Sequence, residues 1–183
     1  MKLRSGLRIA FSVATLLVTV IGANAAGCWQ GIKHYNHGVD LQSKRDLEGA
    51  ITEYHTAIDQ CPSFWRPVYN LGTALEGKGD LEGAVTQYRK VIREWPHIWQ
   101  AHLALGNILD DRGAHEAAIV EYRAVIKRRK KEPEAHYRLG RALQAKGDLQ
   151  GAITEYRTAI RLRPNYTEAQ SAIAEALKSN DKS

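Results

Sequence analysis

Apolar residues return at helical spacing along most of the chain, and no stretch alternates with a period of two, so helices are expected and no sheet. Residues 167–179, TEAQSAIAEALKS, show the pattern plainly. Ala169, Ile173, Ala176 and Leu177 fall on one stripe, with Glu, Gln, Ser and Lys on the other side. A longer rhythm overlies the helical one. Residues 146–164 (KGDLQGAITEYRTAIRLRP) restate residues 78–96 (KGDLEGAVTQYRKVIREWP), and the period is 34. Glycines stand at Gly38, Gly72, Gly106 and Gly140, alanines at Ala50, Ala84, Ala118 and Ala152, tyrosines at Tyr54, Tyr88, Tyr122 and Tyr156. Prolines stand at Pro62, Pro96 and Pro164, with Lys130 in the fourth place. Counting back from the prolines divides the chain into a lead-in at 26–30 and repeats at 31–64, 65–98, 99–132 and 133–166.

Each type has a physical reason to be where it is. Gly and Ala are expected to face one another where two helices cross, because small side chains let backbones approach. The Tyr four residues after each Ala lies on the same helical face and fills the space between hairpins. In Gly79-Asp80-Leu81 and Gly147-Asp148-Leu149, Gly stops one helix and Asp caps the next. The 167–183 stretch then reads as a capping helix and tail, covering the last apolar face.

The pairs Leu71-Gly72, Leu105-Gly106 and Leu139-Gly140, each followed by Ala-x₃-Tyr, resemble the tetratricopeptide repeat (TPR) signature. His37-Gly38 replaces the Leu-Gly pair in the first repeat, and Leu stands for Tyr at 41, 75, 109 and 143. The resemblance implies an all-α fold: a right-handed superhelix of four TPR-like helix-turn-helix repeats plus a C-terminal capping helix. It also implies a concave groove lined by the first helix of each repeat. Tyr35, Asn36, Tyr69, Asn70, Thr73, Asn107, Tyr137, Arg138 and Arg141 occupy the groove-facing positions, beside Gln42, Asp110 and Gln144. Amides suit a peptide backbone and aromatics its side chains. The Lys/Asn/Arg clamp with which some TPR proteins hold a chaperone's terminal carboxylate is matched at Asn70 or at Arg138 alone, so that role is not expected.

The N-terminus reads as a bacterial export signal over 1–25: basic residues to Arg8, apolar Ile9 to Ile21, then Gly22-Ala23-Asn24-Ala25 with its A-x-A site. Thirteen apolar positions fall short of the roughly 20 a membrane span needs. Three outcomes stay open. Cleavage after Ala25 would release a soluble protein. Lipidation at Cys28 would follow from the lipobox-like Ala25-Ala26-Gly27-Cys28. An uncleaved anchor would follow from the absence of charge between Arg8 and Lys33. All three place the repeats outside the cytoplasm, periplasmic or secreted in the first case, tethered to the membrane in the others. Cys28 and Cys61 bracket the first repeat at neighbouring ends of an antiparallel pair, so a disulfide competes with lipidation. Lys2, Arg4 and Arg8 supply three of the six net positive charges, and the remaining +3 gives no reason to expect nucleic acid.

Other candidates weigh towards structure. His34, His102 and His136 share the fourth position of their repeats, with Val68 in the remaining one. As a metal ladder they are too far apart for bonds of about 2 Å, so bulky packing is expected. The run Lys127 to Lys131 (KRRKK) suits a helix C-terminus, and the missing proline would let that helix run on; an acidic or lipid dock is the alternative. Trp65, Trp99, Phe64 and Trp95 read as packing between repeats or as a binding rim. No zinc-protease, phosphate-loop, serine-elbow or C-x-x-C motif occurs, so neither catalysis, cofactor nor metal is expected. The expected role is a non-catalytic protein-interaction scaffold of the bacterial cell envelope with a protein or peptide ligand. The alternatives are a subunit positioning an enzyme and a metal or small-molecule binder.

Overall fold

The structure is a computed structural model that describes residues 28–180. The signal-like stretch 1–25, the Ala25-Ala26-Gly27 portion of the lipobox-like run and the tail 181–183 lie outside the described residues. Every regular element among the described residues is a helix. The order is α1 (28–43), α2 (Leu47–Gln60), α3 (Trp65–Gly77), α4 (Leu81–Glu94), α5 (Trp99–Asp111), α6 (His115–Arg128), α7 (Pro133–Ala145), α8 (Leu149–Leu162) and α9 (Thr167–Asn180). Two compact units divide the chain at Asp80, the first holding α1–α3 and the second α4–α9. No described helix is long and apolar enough to cross a membrane. Because α1 begins at residue 28, the supposed lead-in is already helical there.

Within each unit successive helices pack on one another. The four period alanines and four period tyrosines are all buried. The glycines have a different partner from the one expected. A Cβ on Gly38 would sit 2.7 Å from the Tyr54 ring, one on Gly106 2.7 Å from Tyr122, and one on Gly140 2.6 Å from Tyr156. The Ala152 carbonyl oxygen comes next at Gly140, at 3.2 Å. Glycine at these three positions is therefore required first by the tyrosine ring, which stands nearer than the alanine.

The hairpin turns explain themselves locally. Gly79, Gly113 and Gly147 have φ of 86°, 76° and 84°, the left-handed region that closes a helix. Asp148 Oδ1 then accepts from Gly151 N at 2.9 Å, and Asp46 Oδ1 from Gly49 N at 3.0 Å. Helix α6 ends at Arg128 after 14 residues, the length of α4 and α8, so the absence of proline at 130 does not prolong it. Arg129 leaves the helical region, and Glu132 is extended ahead of Pro133, as a residue preceding proline prefers.

Candidate functional site

In the first unit the groove-facing side chains close on themselves. Tyr54 Oη donates to Gln42 Oε1 at 2.7 Å, and Asn70 Nδ2 donates to Tyr54 Oη at 3.5 Å. Gln42 Nε2 donates to Thr73 Oγ1 at 3.0 Å, and the Thr73 hydroxyl donates to the Asn70 carbonyl at 2.8 Å. Tyr35 packs edge-on against Phe64 with ring centres 5.0 Å apart, and Tyr69 against Trp65 at 6.3 Å. Asn36 is exposed. In the third repeat Tyr122 donates to Asn107 at 3.0 Å, while Asp110 is buried and paired with His115 at 2.7 Å. Asn70, Thr73, Asn107 and Asp110 each have a hydrogen-bond or ion-pair partner within the protein.

The fourth repeat begins the same way and ends differently. Tyr156 Oη donates to Gln144 Oε1 at 2.8 Å, reproducing Tyr54 on Gln42. Three periods on from Asn70 and Thr73, however, α9 carries Ala172 and Glu175. Alanine has no amide with which to reach the tyrosine hydroxyl. A cleft of about 630 Å³ opens there, with Tyr137, Arg141 and Tyr156 facing Glu168, Ala172 and Glu175. A hollow of about 350 Å³ shares Tyr137, Arg141 and Glu168 and adds Arg138, Arg163 and Tyr166.

The charges around the cleft are not equally available. Glu134 accepts from Arg138 Nε at 2.7 Å and from the Tyr166 hydroxyl at 2.5 Å. Burial alone would raise the Glu134 pKa, but those two hydrogen bonds outweigh it and hold the carboxyl below its usual range. Arg163 stacks on the Tyr166 ring, 4.7 Å from its centre. Arg138 is thus paired within the protein, whereas Arg141 is exposed and has no ion-pair partner within 4 Å among the described residues.

Helix α9 covers the apolar face of the last repeat and leaves one residue of its stripe in solvent. Ala169 and Ala176 are fully buried and Ile173 packs on the α6–α8 core, but Leu177 remains 38% exposed. A register signal could have placed α9 on the cleft wall: helices open at Trp65, Trp99, Pro133 and Thr167, always 34 residues apart. It stands where the first helix of a further repeat would stand.

The histidines are more than bulk. His34, His102 and His136 each bond a second-helix carboxylate through Nδ1 at 2.6 Å: Glu53, Glu121 and Glu155 respectively. Where the second repeat has Val68, the matching acid position holds Gln87, so the two positions change together. Donating a hydrogen bond to Glu155, against opposing burial, raises the His136 pKa. Among the described residues no group of three metal-ligating side chains comes together.

Cys28 and Cys61 are joined by a disulfide, Cα atoms 4.4 Å apart. Gly31 lets the helices close there, since a Cβ on it would meet Cys61 Cβ at 3.0 Å. This bond and a lipid on the same sulfur exclude one another. Of the basic run, Arg129 lies over the Trp99 ring at 5.5 Å and the Lys130 carbonyl meets His136 Nε2 at 3.1 Å.

Solved structures share this architecture. MamA from Desulfovibrio magneticus RS-1 matches with a TM-score of 0.77 at 22% identity, over 83% of this chain and 86% of its own. YrrB, described as a TPR protein with an unusual peptide-binding site, matches with 0.72 at 19% over 82% and 78%. The first TPR of Spaghetti (RPAP3), bound to the HSP90 peptide SRMEEVD, matches with 0.61 at 18% over 62% and 90%. At such identities the likeness speaks for the fold alone. No curated protein matches the chain in sequence. Tetratricopeptide repeat models match residues 35–96 and 69–124, and TPR repeat models match 106–147 and 140–181. The chain belongs to the tetratricopeptide repeat family.

Proposed function

We propose that the protein is a non-catalytic interaction module that holds a peptide segment of a protein partner in the α7–α9 cleft. The observation that carries this reading is Ala172 at the position where Asn70 closes the equivalent space in the first unit. YrrB, a TPR protein with an unusual peptide-binding site, and the RPAP3 domain, bound to an HSP90 peptide, support the class. The apolar run at 9–21 and the Cys28–Cys61 bond support an exported location in the bacterial envelope, because disulfides persist in oxidising compartments.

The test is selection of random peptides of roughly twelve residues, displayed on phage, against the purified chain, followed by affinity measurement on synthetic copies. Selected peptides should bind the parent and lose at least about tenfold in affinity for Ala172→Asn, whose amide would reach Tyr156 as Asn70 reaches Tyr54. Undiminished binding to that variant would place the site elsewhere.

A further inference from the structure

The two walls of the α7–α9 cleft carry opposite charges that do not meet. Arg141 projects from α7, while Glu168 and Glu175 line the α9 side. Arg141, Glu175 and Tyr156 line the same cleft, and Arg141 and Glu175 act on the Tyr156 hydroxyl with opposite sign. Yet neither acid comes within ion-pair distance of Arg141. The two acids nearest in sequence are engaged elsewhere, Glu134 with Arg138 and Tyr166 and Asp148 with the Gly151 amide.

This arrangement discriminates among occupants. A purely acidic segment would meet Glu168 and Glu175, and a purely basic one Arg141 and Arg163. An uncharged segment would strip water from the unpaired Arg141 and Glu175 and return no hydrogen bond, which is costly for charged groups. Resting on the reading of this cleft as a peptide site, we propose that its occupant carries both charges: a carboxylate directed to Arg141 and a basic group directed to Glu175, their aliphatic stems lying on the Tyr137 and Tyr156 rings. Arg141 supplies a planar donor fork suited to a carboxylate, and its exposure leaves that fork free. The carboxylate comes from an Asp or Glu side chain or from a chain terminus; the chemistry is shared.

Selected peptides are made as free acids and as C-terminal amides, and their affinities are compared. Expected sequences pair an acid with a base at a fixed separation. Arg141→Ala and Glu175→Ala should each weaken binding by about tenfold, and more at low salt than at high. Neutralising the peptide's acid should lose the same factor and make Arg141→Ala silent. Loss on amidation alone assigns the carboxylate to the terminus; loss on Glu→Gln in the peptide assigns it to a side chain. The joint exchange Arg141→Glu with Glu175→Arg should favour the charge-reversed peptide. Arg141 and Glu175 are exposed, and a thermal melt verifies that the variants stay folded.

Peptides of one sign, or of none, that bind Arg141→Ala as well as the parent yet fail on Ala172→Asn would overturn this inference and leave the cleft standing. Peptides indifferent to Ala172→Asn, or no enrichment at all, would remove the cleft reading and this one with it.

Discussion

The α1–α3 region and the α7–α9 region are two settings of one device. Each lays a tyrosine ring on a first-helix glycine, each gives the hydroxyl to a glutamine, and each packs a second aromatic pair with centres 5.0 Å apart, Tyr35 on Phe64 and Tyr137 on Tyr166. They part at two positions. Asn70 and Thr73 complete a hydrogen-bonded ring in the first, whereas Ala172 and Glu175 leave a cleft in the second. The lesson is that the repeat's framework and its capacity to receive a guest are set by different residues. A single amide decides whether a tyrosine hydroxyl is sealed or reachable.

The largest expected asymmetry comes from the disulfide, which only the first region has. Replacing Cys28 and Cys61 together with serine removes a link across 33 residues. Constraint of the unfolded chain over such a loop is worth about 4 kcal/mol. Hydrogen exchange should speed up in α1 and α2 and stay unchanged in α7–α9. Equal acceleration at both ends would show that the regions are not energetically separate.

Next come the tyrosine hydroxyls. Tyr54→Phe removes a donor to Gln42 and strands the Asn70 amide, a loss of about 1–3 kcal/mol. Tyr156→Phe removes one bond, to Gln144, beside an open cleft where water can replace it, and should cost about 1 kcal/mol or less. Denaturant melts of the two variants measure the contrast directly. If Tyr156→Phe proved the more damaging, the cleft would be sealed by something else and the comparison would fail.

How far the sequence alone reveals this follows from which interactions repeat. Gly140, Ala152 and Tyr156 recur in every copy, so their period announces helical hairpins without any structure. What the glycine meets was not visible, because spacing along two helices does not say which side chain bends across. The His–Glu pairs span 19 residues and two helices, and no local pattern joins them. The joint change to Val68 and Gln87 was nevertheless present to be seen. The cleft is hidden for the opposite reason: the position that holds Asn70 in α3 keeps no one residue type, being Ala104 in α5, Arg138 in α7 and Ala172 in α9, so no period announces it.

The histidines give a smaller, pH-dependent contrast. His34 is half-exposed and shares Glu53 with His37, at 3.2 Å from the latter. His136 is buried, bonded to Glu155 and to the Lys130 carbonyl, with Arg161 opposing its charge. The hydrogen bond to Glu155 raises its folded pKa above the ordinary value of about 6.5. The stabilisation is therefore complete below pH ~6.5 and is lost as pH rises through the higher folded value. Melting points between roughly pH 5.5 and 8.5 should decline, and Glu155→Gln should flatten that decline. An unchanged slope in the variant would assign the dependence to another group.

The smallest effect runs in the stabilising direction and lies in the first turn. Arg45 adopts φ of 65°, at the position where the later repeats have Gly79, Gly113 and Gly147. The turn itself is the same: Asp46 N donates to Leu41 O at 3.0 Å, as Asp148 N does to Leu143 O at 2.9 Å. A left-handed arginine carries a strain of about 1–2 kcal/mol, part of which is offset because arginine also restricts the unfolded chain more than glycine does. Arg45→Gly should therefore stabilise the first unit by somewhat under 1 kcal/mol, and Gly147→Arg should destabilise the second by a similar amount. Paired denaturant titrations measure both signs. If Arg45→Gly lowered stability instead, the arginine side chain would be making a contact worth more than the backbone strain it tolerates, and the first turn would differ from the fourth in kind.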